Sequence, residues 1–193
     1  MIFFGFYLLV SAFITKKAAN WAKANNKNQW LWGGLAIFVM YNLVFWDLIP
    51  TQLMHKYYCS TQAGFWEYKT PEQWRVENPG VMETLVNNKG APSERDGDMQ
   101  NYTDTYFLNQ RIKYVIKKSG PHFINVWQFE QIVSDIKNNE ILARHLGFTS
   151  GNGKIGGEPP FRLWLQSIGC NGISAINDAQ FYDFRHEFLG RQE

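Results

Sequence analysis

Charged side chains are scarce in the first quarter of this 193-residue chain. Residues 1–49 contain only five of them, whereas the other 144 residues contain thirty-one. From residue 50 onward, fifteen Lys and Arg stand against sixteen Asp and Glu, so this part is nearly neutral. A neutral domain lacks the basic surface that nucleic-acid binding usually requires. The charge distribution therefore argues against a nucleic-acid partner.

Groupings of residues that carry catalysis or bind metal are also missing. His122, His145 and His186 each stand alone, with no neighbour that suggests a nucleophile and its base. His55 lies four residues before Cys59 and would share a helical face with it, but no CxxC pair or second His pair accompanies them. We therefore predict no catalytic residue, no cofactor and no bound metal. His145 is interpreted as a packing residue between strands.

What the first 49 residues do contain is two apolar runs. The second, Trp30–Ile49, has twenty residues and a single charge. At about 1.5 Å per residue it spans about 30 Å, the thickness of a bilayer's hydrocarbon core. Tryptophans lie at both of its ends, as in the aromatic belts of membrane proteins. The run predicts a transmembrane helix over residues 30–49.

The first run, Ile2–Ile14, is shorter and predicts a helix that continues to about residue 22. Thirteen apolar residues are few for a span, so we expect the following lysines to reach toward the lipid headgroups. A buried helix of a soluble protein is the open alternative. A cleaved signal peptide is not favoured, because no basic segment precedes the run and no A-x-A-like site follows it.

The segment between the two runs is basic and predicts the topology. It contains four lysines and no acid: Lys16, Lys17, Lys23 and Lys27. Cytoplasmic loops are enriched in Lys and Arg. We therefore expect a multi-pass membrane protein whose N-terminus lies outside. For a bacterial inner membrane, residues 50–193 would then form a periplasmic domain.

Three residues of the second run suggest contact between helices. Asn42 is its only strongly polar residue away from the ends, and Gly33 and Gly34 are small. Small residues let helix backbones approach closely in a bilayer, and polar side chains hydrogen-bond across helices. We expect these residues to contact either the first helix or another membrane protein.

The two cysteines both fall in the part predicted to be exported. An even number of cysteines in an oxidising compartment suggests a disulfide, here between Cys59 and Cys170. It would close a loop of more than a hundred residues, which the chain-entropy model values at about 4–5 kcal/mol. Two buried free thiols are the alternative.

Residues 50–193 show the pattern of a small α+β domain. Residues 70–73, Thr-Pro-Glu-Gln, form a capping box that begins a helix. Alternating apolar segments flank residues 137–140, where asparagines favour a hairpin turn. Phenylalanines at helical spacing predict a helix over residues 178–189, and residues 87–101 are polar and predict a loop. The predicted fold is thus a two-helix transmembrane hairpin (residues 1–49), followed by a small antiparallel sheet with short helices.

Four stretches taken together resemble a group of uncharacterised small proteobacterial proteins. They are WDLIPTQLMHKYYC, AGFWEYKTPEQWRVENPGVMETL, SDIKNNEILARHLGF and FRLWLQSIGC. The resemblance covers most of residues 46–170, and it is most specific over Pro50–Cys59 and Thr70–Pro79. It implies a bacterial membrane-anchored protein and implies no activity or catalytic residue.

Three functions are compatible with these observations. The first is a non-enzymatic accessory protein that binds another membrane or periplasmic protein through its exported domain. The second is an exclusion or immunity factor of a phage or mobile element. The third is an envelope enzyme whose site is assembled only in three dimensions. We favour the first, because no catalytic grouping is visible and the exported part is neutral and rich in aromatic residues.

Overall fold

The computed structural model describes residues 2–88, 93–98, 100–151, 168–170 and 173–190, without the side chains of residues 2–4, 168 and 173–175. The chain forms two compact units, residues 1–49 and residues 50–193. The described residues contain five α-helices and one antiparallel sheet. The predicted α+β class is therefore confirmed.

The N-terminal unit is a helical hairpin. Its helices are α1 (Ile2–Ala24) and α2 (Gln29–Phe45). They run antiparallel, because Tyr7 near the start of α1 contacts Phe45 and Trp21 near its end contacts Trp32. The side chain of Asn28 accepts hydrogen bonds from two backbone N–H groups in the first turn of α2, and this N-cap fixes where the helix begins.

The helix predicted over residues 30–49 is wrong at its C-terminal end. α2 ends at Phe45, and a new helix, α3, runs from Leu48 to Thr61. Pro50 explains the break, because in one continuous helix its ring would clash with the carbonyl group of Trp46. In the first turn of α3 the missing N–H of Pro50 costs no hydrogen bond.

Within the described residues, no single helix is both long and apolar enough to cross a bilayer. The helices α2 and α3 reach the necessary length and composition only as a bent pair. Core helices of soluble proteins can reach the same values. The predicted transmembrane hairpin therefore stays a prediction.

The C-terminal unit is built on a meander of strands. The strands are β1 (Gly64–Glu67), β2 (Ser93–Gly97), β3 (Tyr102–Phe107), β4 (Ile112–Phe123), β5 (Val126–Asp135), β6 (Ile141–Ser150) and β7 (Ile168–Gly169). Their order across the sheet is β1-β6-β5-β4-β3-β2, and β7 pairs with the C-terminal end of β6. The turn between β5 and β6 has Asn139 at φ 56°, so the hairpin predicted at residues 137–140 is present.

Two helices cover one face of this sheet. They are α4 (Pro71–Glu77) and α5 (Ile173–Glu187). The predicted capping box is confirmed, since Thr70 and Gln73 exchange side-chain-to-backbone hydrogen bonds. Trp74 and Phe188 lie fully buried in the core between these helices and the strands, and their rings pack edge to face at 5.5 Å.

The part of α3 that belongs to the C-terminal unit packs on β6. The ring of Tyr58 stacks on Phe148 with centroids 5.1 Å apart, and Met54 and Cys59 join the same apolar cluster. β6 pairs with β5 on one side and with β1 and β7 on the other, so this contact ties the end of α3 to an interior strand of the sheet.

Two predicted boundaries differ from the structure. Residues 93–97 form β2 although the sequence predicts a loop over residues 87–101, because β2 is a fully exposed edge strand without apolar alternation. The helix α5 begins at Ile173, five residues before the predicted start at Asp178. Neither Gly nor Pro separates Ile173 from Asp178, and the helix is free to extend backward.

Candidate functional site

The outer surface of the α1–α2 hairpin is apolar. Leu9 is 72% exposed and Phe38 is 64% exposed. Further large apolar side chains exposed on the two helices include Phe6, Phe13, Leu31, Leu35, Ile37 and Leu43. Monomeric soluble proteins rarely leave extended apolar surface uncovered. The surface suits a lipid or protein environment better than water.

The inner surface of the hairpin is close-packed through small residues. Gly33 is buried, and a Cβ atom at this position would lie 3.6 Å from the Cβ of Ala19. Ala22 is fully buried, and the hydroxyl of Tyr7 donates a hydrogen bond to the carbonyl of Met40. Small side chains let α1 and α2 approach closely, as in helix pairs of membrane proteins.

The basic residues gather toward one end of the hairpin. Lys27 in the interhelical turn holds its Nζ 4.7 Å from the ring centroid of Trp21 and 5.1 Å from that of Trp32. Lys16, Lys17 and Lys23 on α1 are exposed, as Lys27 is. Ammonium groups beside indole rings at one end of an apolar helix pair are typical of a membrane–water interface.

The other two residues proposed for helix contact face away from α1. Gly34 is exposed, and a Cβ atom there would meet no other atom within 4 Å. Asn42 is also exposed, and its Nδ2 donates to the carbonyl of Phe38 on the same helix at 2.8 Å. The structure thus brings Gly33 to the first helix and leaves Gly34 and Asn42 for any partner outside the hairpin.

A groove of about 530 Å³ runs along one side of the hairpin, between the two helices. Its lining is mostly apolar and includes Tyr7, Ala12, Ile37, Met40, Tyr41 and Phe45. The Tyr41 hydroxyl is buried and has no hydrogen-bond partner among the described residues. The groove fits an apolar chain or side chain better than a polar ligand.

In the C-terminal unit, the sulfur atoms of Cys59 and Cys170 lie at disulfide-bonding distance. The Nε2 of His55 lies 3.4 Å from the Cys59 sulfur and 3.2 Å from the carbonyl oxygen of Phe148. His55 and both cysteines offer three possible metal ligands within 4.8 Å of one another. A cystine has no thiolate to offer a metal ion, so the bonded pair is a structural link and not a metal centre.

One polar cluster lies between the sheet and α5. The hydroxyl of Tyr114 donates to Gln131, whose Nε2 lies 3.3 Å from the Nδ1 of His145. The Nε2 of His145 lies 3.1 Å from a carboxylate oxygen of Asp178. The guanidinium of Arg185 lies over the Tyr114 ring at 4.8 Å. The cluster therefore links three neighbouring strands to one helix.

Burial governs the ionisation of this cluster. Burial lowers the pKa of His145, and the charge of Asp178 raises it in part. Burial raises the pKa of Tyr114 to about 12, while the charge of Arg185 opposes that rise. The side chain of His145 is only 3% exposed, whereas that of Asp178 is 58% exposed. A substrate cannot reach so enclosed an imidazole, and the cluster is best explained as a polar link that holds α5 on the sheet.

A second buried cluster is centred on Asp135. The carboxylate accepts hydrogen bonds from the indole of Trp74 at 2.9 Å, from Arg111 at 2.6 Å and from the backbone N–H of Lys137 at 2.8 Å. Burial raises the pKa of Asp135, but these donors lower it by more, and the net pKa lies below its ordinary value. The ion pair with Arg111 joins the start of β4 to the end of β5, and the hydrogen bond from Trp74 joins α4 to the same carboxylate.

The comparisons with known proteins add no relative. No protein-family model, no curated protein and no solved structure matches this chain. The resemblance over residues 46–170 therefore stays a proposal.

Neither polar cluster could have been found by sequence reasoning, because the partners of His145 lie fourteen and thirty-three residues away from it.

Proposed function

We propose that this chain is a membrane-anchored interaction protein of a bacterial inner membrane. The hairpin of residues 1–49 is the anchor, and the α+β unit of residues 50–193 is presented on the periplasmic side to a partner protein. The single observation that carries the proposal is the apolar outer surface of the hairpin. Side chains such as Leu9 and Phe38 would be costly in water and are at no cost in lipid.

The distribution of lysine supports the orientation. The hairpin's turn contains Lys27 between two tryptophan rings, and the remaining lysines of this unit lie on α1. An excess of lysine on one side of a membrane is typical of the cytoplasmic side. Both termini of the hairpin then lie on the opposite side. The resemblance to membrane-anchored proteobacterial proteins agrees with this placement.

The exposed edge of the C-terminal sheet is the surface proposed for the partner. The edge strand β1 carries Trp66, and Tyr68 follows it on the same side of the strand. Both side chains are exposed, and Ile141 at the start of β6 is exposed beside them. Aromatic residues are enriched in protein interfaces. We call Trp66, Tyr68 and Ile141 the edge patch.

The anchor is tested by fractionation of cells that express the full chain. The protein is expected to stay in the membrane pellet after high salt and alkaline carbonate. A reporter that is active only in the periplasm, fused after Glu193, is expected to be active. Release by carbonate would refute the anchor, and activity of a reporter that works only in the cytoplasm would refute the orientation.

The interaction is tested by purification of the tagged full chain from gently solubilised native membranes. A stoichiometric membrane or periplasmic protein is expected to copurify, and mass spectrometry identifies it. Replacing Trp66 and Tyr68 by Ala is expected to remove this protein. The matched control is Val76→Ala, because Val76 is 80% exposed on α4 and lies outside the edge patch. A chain recovered without any partner would contradict the proposal.

A further inference from the structure

The face of α2 that points away from α1 has a regular seam. Leu31, Leu35, Phe38 and Asn42 follow one another at intervals of four, three and four residues, and all four are exposed. This is the heptad spacing at which two helices pack side by side. We call these four residues the α2 seam.

The seam lies opposite the contact between the two helices of the hairpin. Gly33 packs against α1, and Asn42 follows it by nine residues. Nine residues turn an α-helix by about 900°, or two and a half turns, which places the two side chains on opposite sides. The first helix of the same chain therefore cannot cover the seam.

Asn42 makes this face unfavourable in lipid when it is alone. Its Nδ2 donates one hydrogen bond to the carbonyl of Phe38, and no other hydrogen bond of this side chain is found among the described residues. Its second amide hydrogen and its Oδ1 oxygen are thus left for an external partner. Unsatisfied polar groups are costly in the hydrocarbon region and promote association between helices.

A second copy of the chain satisfies these groups best. Two copies inserted in one bilayer have the same orientation, so each residue of α2 meets its equivalent at the same depth. A carboxamide is both donor and acceptor, and two Asn42 side chains can therefore bond to each other across a two-fold axis. A single Asn in an otherwise apolar seam is also what fixes register in parallel helix pairs.

We propose that two copies of this protein associate in the membrane through their α2 seams, with the two Asn42 side chains hydrogen-bonded to each other. This inference rests on the membrane anchor proposed above. It adds a homotypic contact within the membrane to the interaction that the edge patch makes outside it.

The test uses the full chain in vesicles of phosphatidylethanolamine and phosphatidylglycerol. Copies that carry a donor or an acceptor fluorophore after Glu193 are mixed, and energy transfer is followed as lipid is added. The wild type is expected to show transfer that falls on dilution by lipid. Asn42→Leu is expected to weaken association by about 3- to 30-fold, which spans the values measured for hydrogen bonds between helices in membrane proteins and model peptides.

A matched pair of variants separates the seam from general lipid contact. Phe38 and Leu43 both lie on α2 with similar exposure, 64% and 68%, but only Phe38 belongs to the seam. Phe38→Ala is expected to weaken association, whereas Leu43→Ala is expected to leave it unchanged. Equal effects of both substitutions, or wild-type transfer in Asn42→Leu, would overturn the inference.

Failure of the anchor and failure of the seam give different results. A chain that is absent from the vesicle fraction contradicts the anchor itself. A chain that sediments with vesicles but shows no concentration-dependent transfer leaves the anchor intact and overturns the seam. Energy transfer that appears only when native membrane extract is added would mean that the seam binds a different membrane protein. That result would also overturn the inference.

Discussion

The two units of this chain place their apolar side chains in opposite ways. In α1 and α2, most leucine and phenylalanine side chains are exposed and the buried positions are Gly33 and Ala22. In the α+β unit, Leu142, Phe188 and Trp74 point inward, and the buried apolar side chains form two clusters. The same residue types therefore form the core of the second unit and give the first unit an apolar surface, which suits the membrane environment proposed for it. The composition averaged over the whole chain hides this difference, because the two units offset each other in the average.

The two units also differ in how their polar groups are used. The α+β unit buries the carboxylate of Asp135 beside Arg111 and the imidazole of His145 beside the exposed Asp178. The hairpin leaves its four lysines exposed, and Lys27 lies in the turn between its two helices. Buried polar pairs fix the arrangement of a water-soluble core, whereas exposed lysines position a helix pair in a membrane. Each of the following experiments tests one side of this comparison.

Opening the disulfide is expected to have the largest effect. Cys59 and Cys170 are separated by 111 positions in the sequence. Closing a loop of that length stabilises a fold by about 4–5 kcal/mol in the chain-entropy model. Reduction, or the double substitution Cys59→Ser and Cys170→Ser, should lower the urea midpoint of the α+β unit, followed by near-ultraviolet circular dichroism. The intact-protein mass should rise by two hydrogens on reduction, and a mass that does not change would contradict the bridge.

Removing the carboxylate of Asp135 is expected to cost about 3–5 kcal/mol, because the half-buried Arg111 loses its ion-pair partner and the buried indole of Trp74 loses its acceptor. The exposed Asp178→Asn is the control and should cost far less. Urea unfolding of both variants in mild detergent measures the difference. The membrane fraction of the chain should be unchanged in both, since neither residue belongs to the hairpin. Equal stability of the two variants would contradict the central role assigned to Asp135.

A matched pair of leucine substitutions tests the inside–outside contrast directly. Leu142 is fully buried in the α+β unit, and Leu142→Ala should cost about 2–5 kcal/mol. Leu9 is 72% exposed on the hairpin, and Leu9→Ala should leave the stability of the α+β unit unchanged. Thermal unfolding by tryptophan fluorescence compares them. A large effect of Leu9→Ala would mean that the hairpin surface is covered by the rest of the chain.

Sequence reasoning found the features that rest on local chemistry. The capping box at Thr70 and Gln73 and the turn at Asn139 depend on residues within a few positions of one another. The break between α2 and α3 was missed although Pro50 marks it, because the apolar run continues across the proline. β2 was missed because an edge strand pairs through its backbone and its side chains show no apolar alternation.

The polar cluster at His145 shows why the rest was out of reach. Near the turn, Ser134 pairs with Ile141, and continuing that register would set Glu130 opposite His145. An irregularity next to Val133 shifts the register by one residue and sets Gln131 there instead. A shift by one residue exchanges the two faces of a strand. Nothing in the local sequence fixes such a bulge, so the partner of His145 follows only from the folded sheet.

The smallest expected effect is a pH dependence of the α+β unit from His145. Gln131 and Asp178 are the polar side chains that face its ring, and the Phe181 ring packs against it. Burial lowers the folded-state pKa of His145 below its ordinary value, so the unfolded chain takes up the proton first as pH falls. The stability from neutral His145 is complete above a pH of about 6.5 and is lost as the pH falls from there toward the folded-state pKa.

A single group changes the unfolding free energy by at most about 1.4 kcal/mol per pH unit. The measurement is the difference in urea midpoint between about pH 7.5 and about pH 5.5. These values lie roughly one unit either side of about 6.5, the ordinary pKa of histidine. His145→Gln should reduce this difference, because the titrating group is gone. His122→Gln should leave it as it is, since His122 is exposed at the end of β4. A pH dependence that is the same in all three proteins would assign it to other groups and would contradict a folded-state pKa of His145 that lies below the unfolded value.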